Sequence, residues 1–309
     1  MKITVLGTGA IGGLFGSIFH QGGHNVTCVE TNEEYVKKIK ADGLRLTRGD
    51  KDQIVNLKVT SNIEDGGTPD LIMMAVKSYD NAQAAKDCRK AIGPDAVVLT
   101  LQNGVGNVEA ISEILGADRV IAGTTIFGST VVEPGWVKSS IEGSIDIGEP
   151  SGKITPRIRR IADELGSCME IHVVENVIDL IWTKLMVNVG INAIGSLCHL
   201  TNGQILDYPT AEKVQDQLLD EALSVAEAKG IKFTVEDIRA YVKNTCIATY
   251  SNKASMYQDV ERGSVTEVRA INGAIVHWGK VFDIPTPANE LITNLMIARE
   301  GHGKIGARL

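Results

Sequence analysis

The sequence lacks most features that mark secreted, nucleic-acid-binding or membrane proteins. Its five cysteines are scattered, odd in number and without metal-ligand spacing, so we expect reduced thiols, no metal site and a cytoplasmic location. Acidic residues outnumber basic ones and leave a formal charge of −7, which argues against nucleic acid and anionic membranes as partners. No targeting segment is expected, and the longest apolar run, around Met186–Leu197, contains two asparagines and is not expected to span a membrane.

The composition is that of an ordinary soluble protein, and 309 residues are enough for two domains. Apolar strands alternate with helices in the first half, which predicts an α/β domain with a Rossmann-type doubly wound parallel sheet. From about Pro156 helical periodicity dominates. We therefore expect a dinucleotide-binding domain over residues 1–175 and an all-helical domain over residues 176–309, with a frayed tail at Gly301–Leu309.

The strongest motif lies at the start of the chain. The apolar run Ile3–Leu6 stops at Gly7, the spacing Gly7-x-Gly9-x-x-Gly12 follows, and an amphipathic run comes after it. Strand, tight turn and helix in this order indicate a dinucleotide-binding turn. Gly7 permits the turn, Gly9 lets the backbone approach a pyrophosphate, and Gly12 allows close packing of helix and strand.

The residues between these glycines share the turn, and the helix that follows directs its N-terminus at an anion. Thr8, Ala10 and Ile11 are therefore candidate cofactor contacts. The alternative is a glycine-rich turn without a ligand.

An acidic residue ends the second predicted strand. Glu30 follows the apolar run from Asn25, about 20 residues past the glycines, where a carboxylate accepts hydrogen bonds from ribose hydroxyls and repels a 2′-phosphate. No arginine follows it in Thr31–Glu34. The sequence therefore favours NADH, with NADPH still possible. Thr31 and Glu34 also fit a capping box for a helix over Glu33–Ala41.

Later strand ends supply further candidate cofactor contacts. The apolar run Asp70–Val76 ends at Lys77, and the next strand ends at Gln102-Asn103-Gly104. In a doubly wound fold this edge of the sheet binds the ligand. A solvated lysine and an ordinary turn asparagine are the alternatives. Ser129 is another candidate, within the stretch Gly128–Gly135 that we predict to be turn-rich.

In the helical half, one face of a predicted helix is unusually polar. Lys184, Asn188 and Asn192 stand at i, i+4 and i+8 among apolar neighbours, so they share a face of a mostly buried helix. Burying these groups is costly unless they line a wet or ligand-filled cleft. Desolvation would lower the pKa of the lysine toward the range useful for proton transfer. The alternative is a lysine that reaches the surface beside two structural amides.

A second cluster contains Ser255 and Glu267. The spacing Ser264-x-x-Glu267 fits a capping box, in which case the carboxylate only caps a helix. In one uninterrupted helix Ser255 and Glu267 would point about 120° apart. Both can face one cleft only if the helix breaks at Gly263.

At these residues the sequence resembles the ketopantoate reductase (2-dehydropantoate 2-reductase) family nearly from end to end. The pieces in order are the glycine turn, Val76-Lys77, Gln102-Asn103-Gly104, the Lys184/Asn188/Asn192 helix, Thr201-Asn202-Gly203, Ser255-Met-x-Gln-Asp259 and Thr266-Glu267-x-x-x-Ile-Asn272-Gly273. The ordered set is specific, whereas no single member is.

The resemblance implies an NAD(P)H-dependent enzyme that reduces the 2-keto group of ketopantoate to D-pantoate in pantothenate biosynthesis. Lys184 would be the catalytic acid that protonates the keto oxygen as hydride arrives, and Glu267 would assist it. The substrate would be bound by Asn188, Asn192, Asn202 and Ser255, and the cofactor would be contacted by Lys77 and Asn103.

One departure bears on the cofactor. Family members that use NADPH typically carry an arginine where this chain has Glu30-Thr31. The absence of this arginine also raises an alternative function in the same superfamily, an NAD-dependent D-2-hydroxyacid dehydrogenase of the D-mandelate type. A non-catalytic dinucleotide-sensing module is a remote alternative. We expect a small 2-keto acid as the partner of the chain, with a homodimer possible.

Overall fold

The computed structural model describes residues 1–306. The chain divides into two compact units. We call the first the N-terminal unit, formed by Met1–Gln102 and Asn107–Val177. The second, the helical unit, contains Asn103–Gly106 and the chain from Ile178 onward. The short segment Asn103–Gly106 therefore belongs to the helical unit, although it lies within the N-terminal half of the sequence.

The structure assigns the following elements. The strands are β1 (Lys2–Leu6), β2 (Asn25–Val29), β3 (Leu44–Arg48), β4 (Lys51–Val55), β5 (Lys58–Thr60), β6 (Leu71–Met74), β7 (Val97–Thr100), β8 (Val120–Thr125), β9 (Gly128–Glu133), β10 (Trp136–Ile141), β11 (Ile145–Gly148) and β12 (Ile171–Val173). The helices are α1 (Ala10–Gln21), α2 (Glu33–Asp42), α3 (Asn81–Cys88), α4 (Asn107–Leu115), α5 (Pro156–Gly166), α6 (Val177–Cys198), α7 (Gln204–Asp207), α8 (Pro209–Ala228), α9 (Ile238–Ala248), α10 (Ser255–Glu261), α11 (Asn272–Phe282) and α12 (Pro287–Gly306).

The main sheet of the N-terminal unit has eight strands in the order β12-β11-β8-β7-β6-β1-β2-β5. Neighbours pair in parallel except β8 and β11, which are antiparallel. The predicted Rossmann-type doubly wound sheet is thus confirmed, with one antiparallel pair added. In the register, Leu6 lies opposite both Val29 and Met74, so the chain leaves β1, β2 and β6 at one edge.

The central strands are continuous apolar runs because helices cover both faces of the sheet. On one face Val5 and Met73 pack with Phe15 of α1. On the other face Ile72 and Met74 belong to a separate apolar cluster. All four residues of β6 have no exposed surface, which explains why alternation is missing from that strand.

A second sheet, in the order β4-β3-β10-β9, was not predicted. The stretch Gly128–Gly135 was expected to be turn-rich, and this prediction was wrong because most of it forms β9, which pairs with β10. Residues 49–50 form the tight turn between β3 and β4, which pair antiparallel. These strands are only partly buried and mix polar with apolar residues, so their sequences resemble loops.

The helical unit consists of helices, as the periodicity of the sequence predicts, but these helices are shorter and more often interrupted. Between α8 and α11 there are two shorter helices, α9 and α10, which residues 249–254 separate. The helix α10 ends at Glu261, ahead of Gly263, whose φ of +65° favours glycine. The predicted fraying from Gly301 begins too early because α12 continues to Gly306; the remaining tail residues lie outside the described range.

The helix α6 is, by length and composition alone, long and apolar enough to cross a membrane. Within the protein, 61% of its most apolar window is buried. Core helices of soluble proteins have the same composition, so this feature is weak evidence for a membrane span.

Candidate active site

The glycine turn joins three strand ends. Gly7 has a φ of +89°, and a Cβ built there would lie 2.9 Å from the carbonyl oxygen of Ala75. Its N–H donates to the carbonyl of Val29 over 2.8 Å. The turn after β1 is therefore held against the ends of both β2 and β6, and only glycine fits its conformation.

The other two glycines of the motif differ in their surroundings. A Cβ at Gly12 would collide with the carbonyl oxygen of Gly7, whereas a Cβ at Gly9 would meet no atom of the described residues within 4 Å. Gly12 is thus required by packing inside the protein. Gly9 leaves open space beside the N-terminus of α1, where the first backbone N–H groups, including those of Ala10 and Ile11, lack intrahelical acceptors. This arrangement fits the phosphates of a dinucleotide.

Glu30 is held by two backbone donors. The N–H of Thr8 donates to its Oε2 and the N–H of Asn32 donates to its Oε1, each over 3.0 Å. A carboxylate has about four acceptor sites, so both oxygens can still accept from hydroxyl groups. Glu30 therefore connects the glycine turn with the start of α2 and keeps acceptors for a ribose.

The predicted capping box at Thr31 and Glu34 is wrong. Asn32 is the N-cap of α2, and its side chain accepts from the N–H groups of Glu34 (3.0 Å) and Tyr35 (3.3 Å). The helix begins at Glu33, one residue later than a cap at Thr31 requires, and asparagine is at least as good a cap as threonine.

The other candidate cofactor contacts of the N-terminal unit differ in burial. Lys77 is half-buried directly after the β6 edge and precedes a short 3₁₀ turn over Ser78–Asp80. The Oγ atom of Ser129 is buried in β9 and has no hydrogen-bond partner within the described part of the chain. A buried hydroxyl of this kind is normally satisfied, so Ser129 is suited to contact a ligand.

Sequence reasoning missed an amide network at the same edge of the sheet. Gln102 donates from Nε2 to the carbonyl of Val76 (2.6 Å) and to Oδ1 of Asn81 (2.7 Å). Asn81, which is 2% exposed, donates to Oδ1 of Asn107 over 2.7 Å. The network connects the ends of β6 and β7 with the start of α4. Gln102 was visible in the Gln-Asn-Gly pattern, but nothing local indicated its partners.

Asn103 belongs to a segment of the helical unit. The N–H of Val105 donates to the carbonyl of Ala270 over 3.0 Å, and a Cβ at Gly104 would collide with the same carbonyl. Gly104 has a φ of +81°. The Asn-Gly pair therefore forms a turn, and this turn places Asn103 beside the segment that follows Glu267.

The polar face of α6 contains donors without acceptors. Asn192 is 4% exposed and Asn188 is half-buried. The Nδ2 atom of each is buried without a hydrogen-bond partner among the described residues. Buried amide groups are normally satisfied, so two orphaned donors spaced one helical turn apart indicate a ligand with acceptor oxygens.

Lys184 lies one turn before Asn188 on the same face. Burial lowers its pKa to about 8, while the negative charge of Glu267 acts in the opposite direction and raises it. Glu267 is itself 7% exposed. Burial thus dominates at Lys184, unlike at a lysine that extends into solvent, and its ammonium interacts with a nearby carboxylate.

The capping alternative for Glu267 is wrong. No α-helix begins directly after Ser264; Glu267 instead precedes a 3₁₀ turn over Val268–Ala270, and its side chain makes no capping hydrogen bond there. The Thr266 N–H donates to Glu300 over 2.9 Å and its hydroxyl over 2.6 Å, which anchors this segment on α12. The negative charge of Glu267 acts on Lys184 from this anchored segment.

The remaining substrate candidates lie beyond α6 in the chain. Asn202 donates from Nδ2 to Oγ1 of Thr249 over 2.9 Å, and its Oδ1 is buried without a partner in the described chain. Ser255 is exposed at the first residue of α10. The rings of His199 and Tyr257 are 5.5 Å apart and connect the end of α6 with α10. Within residues 1–306 no group of three or more metal-binding side chains occurs.

The fold and these sites together define a class: a Rossmann-type unit with a glycine turn, followed by a helical unit with a half-buried lysine of lowered pKa, is the architecture of a nucleotide-dependent oxidoreductase. The sequence profile for ketopantoate reductase PanE/ApbA matches residues 3–152, and its C-terminal counterpart matches residues 176–300. The chain belongs to the ketopantoate reductase family.

Relatives and solved structures agree with this assignment. The 2-dehydropantoate 2-reductase of Pyrococcus abyssi is 36% identical over 97% of this chain and 98% of its own length, and that of Halobacterium salinarum is 33% identical over 96% and 98%. A ketopantoate reductase structure from Ralstonia eutropha superposes with a TM-score of 0.91 at 28% identity, covering 98% of this chain and all of the other. D-mandelate dehydrogenase in a complex with NADH and anilino(oxo)acetate gives 0.93 at 27% identity, covering 98% and 99%.

Proposed function

We propose that this protein is a 2-dehydropantoate 2-reductase, which reduces the 2-keto group of ketopantoate to a hydroxyl with a reduced nicotinamide dinucleotide. The observation that carries the proposal is the α6 face, where Lys184, with its pKa lowered by burial to about 8, precedes two asparagines with orphaned donors. The named relatives, at 33–36% identity over nearly the whole chain, support the same activity.

The cofactor, when bound, supplies the hydride. We assign its pyrophosphate to the glycine turn, where Gly9 leaves open space, and its adenosine ribose to the carboxylate of Glu30. Lys77, Ser129 and Asn103 are the further contacts in this assignment.

Lys184 donates a proton from Nζ to the keto oxygen while the carbon of that carbonyl accepts the hydride. One proton and one hydride then balance the change from ketone to secondary alcohol. The ammonium also stabilises the negative charge that develops on the oxygen. Since its pKa is about 8, Lys184 is mostly protonated at neutral pH and still a strong enough acid to transfer the proton.

The other polar groups bind the substrate. The Nδ2 donors of Asn188 and Asn192 have no partner within residues 1–306 and suit the carboxylate or keto oxygen of a 2-keto acid. The Oδ1 of Asn202, likewise without a partner there, suits a hydroxyl donor. Ser255 adds a hydroxyl at the start of α10. Glu267 keeps the proton on Lys184 by raising its pKa against the effect of burial.

The cofactor preference we propose is NADH. A 2′-phosphate beside the Glu30 carboxylate would place like charges together, and Thr31 and Asn32, which follow, offer no cationic side chain.

A second candidate is a D-2-hydroxyacid dehydrogenase of the D-mandelate type. It is favoured by the TM-score of 0.93 with D-mandelate dehydrogenase, a structure that contains NADH. The two candidates share the chemistry of Lys184 and differ in the side chain of the 2-keto acid.

Initial rates with ketopantoate and with benzoylformate, each with NADH and NADPH, test both candidates. We expect the highest kcat/KM for ketopantoate with NADH. A higher value for benzoylformate would favour the D-mandelate type, and no reduction of either acid with either cofactor would overturn both.

A further inference from the structure

Asn272 belongs to a motif of the family resemblance, and the proposed mechanism gives it no role. It is the first residue of α11, and none of its surface is exposed. Its Nδ2 donates to the carbonyl oxygen of Val189 in α6 over 3.3 Å and to Oδ1 of Asn289 in α12 over 3.0 Å. One side chain thus connects three helices of the helical unit.

The orientation of this amide is determined by a chain of donors and acceptors. Asn289 donates from Nδ2 to the carbonyl of Leu218 (3.1 Å) and to Oε2 of Glu221 (2.8 Å). An ionised carboxylate can only accept, so the Oδ1 of Asn289 must face Asn272. Asn272 must then present its NH₂ group to both Asn289 and α6.

The hydrogen bond reaches α6 beside its polar face. Val189 directly follows Asn188, and the next carbonyl, that of Gly190, accepts from Nε2 of Gln215 over 3.1 Å. A Cβ at Gly190 would lie 3.1 Å from Cγ1 of Val242. The helix is therefore held tightly just after Asn188, five residues beyond Lys184.

Asn272 also lies shortly after Glu267 in the chain, and we call residues 267–270 the Glu267 segment. That segment is a compact turn, in which the N–H of Ala270 donates to the carbonyl of Glu267 over 3.0 Å. We propose that Asn272 is a positioning residue: its amide holds the Glu267 segment against α6 and thereby sets the separation of the Glu267 carboxylate and the Lys184 ammonium. This inference rests on the proposed function, because it takes Lys184 as the acid.

A double-mutant cycle tests whether Asn272 acts through Glu267. Asn272→Leu keeps a similar volume and removes the donor, and Glu267→Gln removes the charge. We expect Asn272→Leu to lower kcat about ten- to a hundredfold, as a misplaced group does, with a smaller change in KM. In the double variant the two losses should not multiply, because the pairing is already lost. Losses that multiply would overturn the proposal.

A second readout needs no turnover. Lysines are reductively methylated with ¹³C, the Lys184 signal is identified by its loss in Lys184→Arg, and its titration is followed by NMR. Since Glu267 raises the pKa of Lys184, we expect that pKa to be lower in both Asn272→Leu and Glu267→Gln than in the unaltered protein. An unchanged or higher pKa in Asn272→Leu would contradict the inference.

Ser196→Ala is the matched control. Ser196 is fully buried, and its hydroxyl donates to the carbonyl of Asn192 over 2.6 Å within α6, so the substitution removes a hydrogen bond but no connection between elements. We expect a lower Tm, kcat within about threefold of the unaltered protein, and an unchanged Lys184 titration. If Asn272→Leu does not fold, Asn272→Ser carries the same tests.

The outcomes separate the two proposals. An unaltered protein that reduces no 2-keto acid, with a Lys184 titration that still depends on Asn272, would refute the proposed function and leave the positioning intact. An active protein in which the losses multiply and the titration does not move would refute the positioning role alone.

Discussion

The two units prepare their candidate sites in opposite ways. In the N-terminal unit the site is made of positions without side chains: a Cβ has no room at Gly12, and open space lies beside Gly9. In the helical unit it is made of polar side chains on an otherwise apolar helix, with a lysine whose pKa is lowered by burial. Backbone donors suit phosphates, which most nucleotides share, whereas oriented side chains can select one substrate and transfer a proton.

Because the proposed proton transfer and the proposed cofactor binding lie in different units, replacing Lys184 should lower turnover and leave cofactor affinity unchanged. We expect Lys184→Ala to lower kcat by about 10²- to 10⁴-fold, the usual contribution of a general acid, with the Kd of NADH unchanged. Steady-state kinetics and a cofactor titration measure the two effects. Lys213→Ala, at an exposed lysine of the same unit, is the control and should retain full activity. Near-normal turnover in Lys184→Ala would exclude the lysine from the mechanism.

Substitutions at Gly12 and Gly9 should have different effects, because Gly12 is needed for packing and Gly9 is proposed to make room for the cofactor. Gly12→Ala places a methyl group against the carbonyl of Gly7 and is expected to destabilise the N-terminal unit by about 1–3 kcal/mol. Gly9→Ala meets no protein atom, so we expect an unchanged Tm without cofactor and a Kd for NADH raised about tenfold. Thermal melts and cofactor titrations of both variants test this. Equal losses of Tm would show that Gly9 is structural.

The pH dependence of kcat/KM should report the buried lysine. The acid works as an ammonium, so kcat/KM should fall as pH rises through about 8, well below the ordinary range of a lysine. Glu267 raises that pKa, so Glu267→Gln should move the alkaline limb to lower pH. A profile recorded between pH 6 and 10 decides this. A limb that stays in place in the variant would show that the carboxylate does not act on the titrating group.

The smallest effect concerns cofactor choice at Glu30. We expect a severalfold higher kcat/KM with NADH than with NADPH, and Glu30→Arg should move the ratio toward NADPH. The structure adds that Thr8 and Asn32 lose their acceptor in this variant, so the efficiency with NADH should fall more than that with NADPH rises. Glu30→Gln keeps the shape and serves as the control. A clear NADPH preference in the unaltered protein would contradict the prediction.

The predictions that held and those that failed differ in what they depend on. The parallel sheet followed from continuous apolar runs such as β6, because burial on both faces leaves no other composition. The second sheet was missed because β9 is half-exposed and looks like a loop. The cap at Thr31 was wrong because the neighbouring Asn32 caps α2 instead, and the capping alternative at Ser264 was wrong because no α-helix begins directly after it.

The sequence by itself determined the glycine spacing, the acid after β2 and the shared face of Lys184, Asn188 and Asn192, because each depends on a local period or on contacts between near neighbours in the chain. Tertiary structure decided how the charge of Glu267 acts on the pKa of Lys184, 83 positions earlier, a pairing that only the family resemblance had implied, and that Asn272 donates to Val189. Those relations join helices distant in sequence. The pKa of a lysine and the partner of a buried amide depend on what surrounds them in space, which no local pattern encodes.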